Sequence, residues 1–523
     1  MPFSSDQRQT GPSPWLVILL CAIYLFSGLI DHDPWKVDDA LHLSIAQGMA
    51  KGGNWLVPAV AGEPWPEAEP LYHWVAATTA RLAEPLLAFP AGARLATALF
   101  AALFLAFLAS ASRRFYNGAA GWGAPLLAIG TLGLLVPLHE AQPASAILAS
   151  TAAVYWGCAL LTSHALSGAL LLGAGIGAGF LAGGLNAALP LLPLLAAPLL
   201  LRRWLALLVG GTTTLIVCGT WLLLLFRQSP AFLSAWWSTE LASIAPRGGF
   251  TLVHLEWLSW FAWPVAFLAL WALWSGRRQL STPAYALPLL GAVAAAGWFL
   301  SHEPRPPVAL PLLPPLMLLG AASLSQLKRG AANAWDWFGM MTFSLVVGLI
   351  WLGTLAMLSG WPPKIAHNFA KLEPGFVAPF SLPALAVAAV ATGLWLLVLL
   401  RLPRSPWRVA TRWAAGLAIM WALLTALWMP WIDYGKTYRP VIASLARALP
   451  TDHGCIGRRD LGPAQRALLD HFGGIRTQPA TNGCTWLISQ GGPNERPPAG
   501  WSLVWEGHRP GDRSERLRLY RRQ

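Results

Sequence analysis

Along most of this chain the apolar positions neither alternate nor recur every third or fourth residue. They run on for about 16 to 22 residues and stop at Arg, Lys, Asp or Pro. A helix needs about 20 apolar residues to cross a hydrocarbon core of roughly 30 Å. That template fits at 14–30, 95–111, 121–137, 144–162, 167–184, 186–201, 204–225, 257–274, 284–300, 308–325, 339–358, 382–400 and 413–431, which predicts an all-α, multi-pass membrane protein with about thirteen spans.

Two stretches break the pattern. From residue 433 to 523 the chain is polar: "KTYRPVIASLARAL" and "GPAQRALLDHF" have helical periodicity, while "CIGRRD", "TWLISQ", "WSLVWEG" and "RLRLYRR" read as strands. A small C-terminal α/β domain follows, attached to a membrane domain of residues 1–432. The other stretch is the loop 31–94, too polar to span. Within it Val37, Leu41, Ile45 and Met49 recur every four residues, predicting one face of an amphipathic helix on or near the membrane, with a stop at Gly52-Gly53. Trp35, Trp55, Trp65, Tyr72 and Trp74 suit the interfacial zone.

Charge then orients the bundle. Of 523 residues only 11% are charged, with a net charge of +13. Arg113/Arg114, Arg202/Arg203, Arg277/Arg278, Lys328/Arg329 and the group Arg401, Arg404, Arg408, Arg412 fall on one side if the N-terminus is cytoplasmic. An odd number of spans puts the tail outside, in the periplasm of a Gram-negative host. The first span is expected to stay as an anchor, since only Arg8 precedes it and Asp-His-Asp-Pro follows it. The positive balance suits anionic lipid and calls for no nucleic acid. The tail carries 14 Lys/Arg against 8 Asp/Glu, which reads as a solvated basic surface or one that leans on headgroups.

Cys21, Cys158 and Cys218 lie within predicted spans as small apolar residues, whereas Cys455 and Cys484 share the tail and can pair in an oxidising compartment. No Cys/His spacing matches a zinc site.

The loop opens with two adjacent acids, Asp38 and Asp39. Acids in a first helical turn favour its positive end, which is a sufficient structural reason for them. The longer stretch "DDALHLSIAQGMAKGGNWLVPAVAGEPWPEAEPLYHW" adds another. It resembles, without a gap, the first periplasmic loop of GT-C glycosyltransferases that use lipid-linked sugars, above all the lipid A aminoarabinose transferases and the protein O-mannosyltransferases. Asp38, Asp39, Ile45, Ala46, Met49, Trp55, Leu56, Val57, Pro58, Gly62, Pro64, Glu67, Pro70, Leu71, Tyr72 and Trp74 carry the match. Ala68 stands where that family has Lys, Glu69 where it has Pro, and His42 and His73 where it has Tyr. Weaker resemblance runs to about residue 330. "LHEAQPASAILAS" lacks the Asp that relatives often carry, leaving Glu140 or Gln142 to substitute, and "SHEPRPPVALPLLPPLMLLG" resembles the family's basic-Pro segment.

The resemblance implies sugar transfer, with inversion, from a polyprenyl (undecaprenyl) phosphate donor to a periplasm-facing acceptor such as lipid A, another glycolipid or a protein, at the bacterial inner membrane. Such chemistry needs a carboxylate to orient or deprotonate the acceptor and cations to hold the departing phosphate. By that analogy Asp38 is the expected catalytic acid and Asp39 the second candidate. Arg305 leads the phosphate cations, ahead of Arg247 and Lys364; Glu67, His42, Tyr72 and Glu140 complete the expected substrate-binding set. No cofactor is called for, and a divalent cation is left open. The competing readings are a transporter or flippase for lipid-linked sugars, expected to show paired discontinuous spans or buried charge at midplane, and a non-catalytic relative that binds such lipids.

Overall fold

In this computed structural model residues 12–116, 121–246, 248–403, 405–479, 483–512 and 514–523 are described. Helices build the membrane part, and small residues let them approach closely. A Cβ on Gly157, for example, would collide with the backbone of Leu172, and one on Gly173 with that of Gly210.

Among the described residues eight helices are long and apolar enough to cross a membrane: Phe89–Tyr116, Ala165–Leu200, Trp204–Gln228, Pro283–Leu300, Pro306–Gln326, Arg329–Ser359, Leu382–Arg401 and Arg408–Ala448. A ninth arises if Leu252–Phe261 and Val265–Ser275, bent by 97° about Pro264, count as one span. The count of thirteen is therefore not reproduced, for three physical reasons. The stretches 167–184 and 186–201 belong to one path, broken at Gly183 and Gly184 but not reversed. The stretch 121–137 forms only the short helix Gly123–Ile129 and a 3-10 turn, Leu132–Leu134, because Gly130 and Gly133 interrupt it. The stretches 14–30 and 144–162 fold as apolar helices of 13 and 17 residues, Pro14–Phe26 and Ala144–Leu160.

The helix foreseen in the polar loop spans Asp38–Ala50, with Asp38 and Asp39 in its first turn. Leu43, Ile45, Ala46 and Met49 are buried, Leu41 is half-buried, and Val37 falls outside the helix and is exposed. The apolar face is thus rotated from the four-residue repeat. The reason is that this helix is covered on two sides: its Ala40 joins a second small core with Tyr438, Ile442, Leu445 and Leu468 of the tail. A two-residue hairpin, β1 (Ala59–Val60) and β2 (Glu63–Pro64), follows, then the helix Pro70–Ala83.

The tail forms the elements its pattern predicted and one further two-residue strand, Gln478–Pro479. Helices Arg439–Ala448 and Pro463–Gly473 pack on a sheet of β3 (Ile456–Arg459), β4 (Gln478–Pro479), β5 (Trp486–Gly491), β6 (Trp501–Gly507) and β7 (Arg516–Arg522), in the order β4-β3-β5-β7-β6. A disulfide joins Cys455 to Cys484, bracketing the parallel β3–β5 pair.

Ionic contacts seat the tail on the loop. Arg458 and Arg466 grip Glu63 at the hairpin, Arg439 pairs with Asp33, Lys36 with Glu515 at 2.7 Å, and His471 Nδ1 meets Gln47 Oε1 at 2.8 Å. The loop and the tail therefore occupy the same face of the bundle.

Candidate functional site

A cavity of about 770 Å³ opens between the loop and the membrane helices, and its walls include Asp38, His42, Glu67, Glu69, Glu240 and Arg305. Four of the residues expected from sequence converge there: Asp38, His42, Glu67 and Arg305. They come from distant elements. Asp38 and His42 lie one turn apart on the Asp38–Ala50 helix, Glu67 on the strap after the hairpin, and Arg305 at the start of the Pro306–Ala309 turn.

Asp38 projects into the opening, while surrounding protein and then the Asp39 charge raise its carboxyl above the usual carboxylate range. Asp39 behaves in the opposite way. It is wholly buried and bidentate with Arg94: Arg94 Nη2 donates to Oδ2 at 2.6 Å and Nε to Oδ1 at 3.1 Å. Its oxygens also accept the Ala141 N–H at 2.7 Å and the Trp35 N–H at 3.2 Å. Burial alone would raise the Asp39 carboxyl, yet Arg94 and the hydrogen bonds hold it below the ordinary value. With its acceptors engaged and no place on the lining of the cavity, Asp39 sits as a scaffold group behind Asp38.

Other expected residues lie elsewhere. Tyr72 is buried, its hydroxyl 2.8 Å from Thr97 Oγ1, behind the cavity wall. Glu140 lines a separate pocket of about 210 Å³ with Lys436 and His32; burial, then the Asp39 charge, pushes its carboxyl up to about 7. Its neighbour Gln142 reaches the larger cavity instead. Lys364 lies in the first turn of the exposed helix Pro363–Leu372 and lines neither cavity. Arg247 lies outside the described residues, as do Arg8 and Arg404 of the charge reading.

Two features of the site were not legible as chemistry. The first is Arg94, a lone cation near the head of an apolar span; that placement was its signal, since buried intramembrane charge needs a partner. The second is Glu240, on the helix Pro230–Ser243, which meets Glu69 at the helix break. Gly184, at φ +60° and ψ −150°, takes a backbone conformation reserved for glycine. A Cβ there would collide with both Glu240 Oε2 and Glu69 Oε1, and the freed Leu185 N–H donates to Glu240 Oε2 at 2.7 Å. Burial, then the Glu240 charge, drives the Glu69 carboxyl well above its usual range. For Glu240 burial again raises the carboxyl, against the Leu185 hydrogen bond and the Arg305 charge.

Among the described residues no group of three or more His, Cys, Asp or Glu side chains could hold a metal ion. Beside Arg305 the cavity wall offers carboxylates together with amide and hydroxyl groups such as Gln142, Asn186 and Thr239 that both donate and accept, which suits a polyhydroxylated ligand that ends in an anion.

No family model matches the chain. Undecaprenyl phosphate-alpha-4-amino-4-deoxy-L-arabinose arabinosyl transferase of Pseudomonas aeruginosa (strain UCBPP-PA14) is 28% identical over 445 residues, covering 81% of this chain and 76% of the relative. The enzyme of that name in Pseudomonas paraeruginosa is 27% identical over 445 residues, with the same shares. Among solved structures, ArnT from Cupriavidus metallidurans bound to undecaprenyl phosphate superposes with a TM-score of 0.70 at 17% identity, over 97% of each chain. Its apo form gives 0.69 at 18% identity, again over 97% of each. With curated relatives similar along four fifths of the chain and one fold shared from end to end, this multi-pass membrane protein has the fold of the GT-C glycosyltransferases and resembles these arabinosyl transferases in sequence.

Proposed function

We propose that the chain moves a sugar from an undecaprenyl-type polyprenyl phosphate to an acceptor at the periplasmic face of the inner membrane, with lipid A as the leading acceptor. The observation that carries this reading is the shared cavity, which holds Asp38 and Arg305 together. The names of the curated relatives and the undecaprenyl phosphate in the structural neighbour support the donor class.

In the reaction an acceptor oxygen attacks the anomeric carbon from the face opposite the phosphate. The new C–O bond forms as the bond to the phosphate oxygen breaks, and its electron pair leaves on the phosphate, so the configuration inverts. Asp38 orients the acceptor and takes its proton where the nucleophile is a hydroxyl. Arg305 meets the charge that grows on the departing phosphate. Ala68, buried at the place of the family lysine, supplies no cation, which concentrates that role on Arg305.

The orientation fits the same reading. The tail and loop 31–94 share one face, while Arg113/Arg114, Arg202/Arg203 and Arg277/Arg278 mark span ends elsewhere in the bundle, in keeping with a cytoplasmic N-terminus and a periplasmic tail. Reconstitution of the purified protein with a synthetic polyprenyl-phosphate sugar and lipid A provides the test. Appearance of glycosylated lipid A with release of polyprenyl phosphate upholds the reading. Binding of the donor without release, or its movement across the bilayer unaltered, replaces it with the binding or flippase reading.

A further inference from the structure

His42 faces the cavity one turn beyond Asp38, and a chain of hydrogen bonds fixes which of its nitrogens carries the proton. His73 Nδ1 lies 2.7 Å from the carbonyl oxygen of Glu69, and His73 Nε2 lies 2.9 Å from His42 Nδ1. A carbonyl oxygen only accepts, so His73 Nδ1 is the donor there. His73 is fully buried, and burial lowers its pKa to about 4, so at neutral pH it carries one proton and its Nε2 is a lone pair. His42 Nδ1 must then donate to it. Burial, then His73, holds His42 neutral as well, with Asp39 acting the other way but engaged by Arg94. His42 Nε2 is therefore left as a bare acceptor beside the cavity.

We infer that His42 Nε2 accepts a hydrogen bond from one hydroxyl of the sugar being transferred, and that His73 is the positioning residue that holds it in the accepting tautomer. The inference rests on the glycosyltransferase reading of the same cavity. The surroundings agree with it. Asp38, Glu67, Glu69 and Glu240 share the cavity with His42; Tyr72 and the Asp39–Arg94 pair lie behind it; among the described residues of the cavity wall Arg305 is the cation. An imidazole lone pair one turn from Asp38 presents an uncharged acceptor to the cavity, whereas a protonated or flipped ring would present a donor instead. Selectivity follows, because a buried acceptor left without its hydroxyl costs binding that a wrong sugar cannot restore.

The test crosses the protein with the substrate. Wild type and His42→Phe, both in nanodiscs, are assayed with a parent polyprenyl-phosphate pentose and with its series of singly deoxygenated analogues. In wild type one analogue is expected to lose about tenfold or more in kcat/KM. In His42→Phe that analogue should fall no further than the parent sugar does, while the other analogues keep their wild-type losses. His73→Phe, which frees the His42 tautomer, should weaken the same discrimination, and His42→Gln, which restores an acceptor, should recover part of it. Equal losses for every analogue in wild type and His42→Phe would make His42 a structural residue and overturn the inference. Should wild type transfer none of these sugars although it is folded, the parent reading fails, a different outcome from additive losses.

Discussion

Asp39 and Arg94 form a wholly buried ion pair, Oδ2 to Nη2 2.6 Å, beside an Asp38 that stays open to the cavity. Two adjacent acids of one helical turn thus have opposite environments. Arg94 also donates to the carbonyls of His32 at 3.0 Å and Asp33 at 3.1 Å, tying the start of the loop to the membrane bundle. Asp39→Asn should therefore act on folding before chemistry. Stranding a buried guanidinium costs roughly 3–5 kcal/mol, so the expected result is a fall in thermal stability and yield, measured in detergent or nanodiscs. A stable Asp39→Asn protein that is merely inactive would contradict the scaffold role.

Arg305 should govern the donor. Arg305→Gln is expected to raise the KM for a polyprenyl-phosphate sugar by about tenfold or more and to lower kcat, because the charge it meets grows as the phosphate leaves. Arg305→Lys should recover the charge without the planar fork, and so only part of the activity. Kinetics of the two variants with one synthetic donor check this.

The tail should act as a clamp on the loop. Glu63 receives both Arg458 and Arg466, and these pairs are partly exposed, so each contributes no more than about 1 kcal/mol. Glu63→Arg is expected to loosen the tail, read as faster proteolysis within residues 433–523, and Glu63→Arg with Arg458→Glu and Arg466→Glu to restore protection. Unchanged cleavage in the single variant would show that the remaining contacts, the Asp33–Arg439 and Lys36–Glu515 pairs and the apolar core around Ala40 and Leu468, seat the tail without Glu63.

Acid should separate catalysis from clamping. The Asp38 carboxyl is raised, by burial and then by Asp39, so its ionised form is lost at a pH above the ordinary range for Asp. The Glu63 carboxyl is lowered, by the Arg458 hydrogen bond first. Its contribution to docking is full above its unfolded pKa of 4.5 and is lost only as pH falls through a lower folded value. Transfer rates should therefore decline on the acid side while tail protection holds, and protection should decline only below about pH 4.5. A pH–rate profile beside a pH–proteolysis profile measures both limbs.

Much of this was legible because the signals were local. Continuous apolar runs marked the membrane helices, and alternation in "WSLVWEG" and "RLRLYRR" marked paired strands now seen as β6 and β7. Counting spans from apolarity fails where a run is broken without turning back, as at Gly183–Gly184, or is too short once folded, as at Gly123–Ile129. Local periodicity also misplaced Val37, because the tail covers a face of the Asp38–Ala50 helix that a membrane-bound helix would expose. The site divides along the same line. Asp38, His42 and Glu67 came from one contiguous motif. Glu240 and Arg94 carried no motif, since their roles arise from partners 171 and 55 residues away, at Glu69 and Asp39. Lys364, expected among the phosphate cations, lies outside that motif, and the fold takes it to an exposed helix.

Asp38→Asn removes one charge from an open position and leaves the Asp39–Arg94 pair intact, so the variant should fold as wild type does. The decisive measurement is its rate of sugar transfer from a synthetic polyprenyl phosphate, in nanodiscs, beside its affinity for the same donor. A rate lowered by about 100-fold or more, with donor affinity changed by less than about threefold, is the expected result for a carboxylate that acts on the acceptor. A variant that transfers at the wild-type rate would remove Asp38 from the reaction and contradict the assignment of this cavity as the active site.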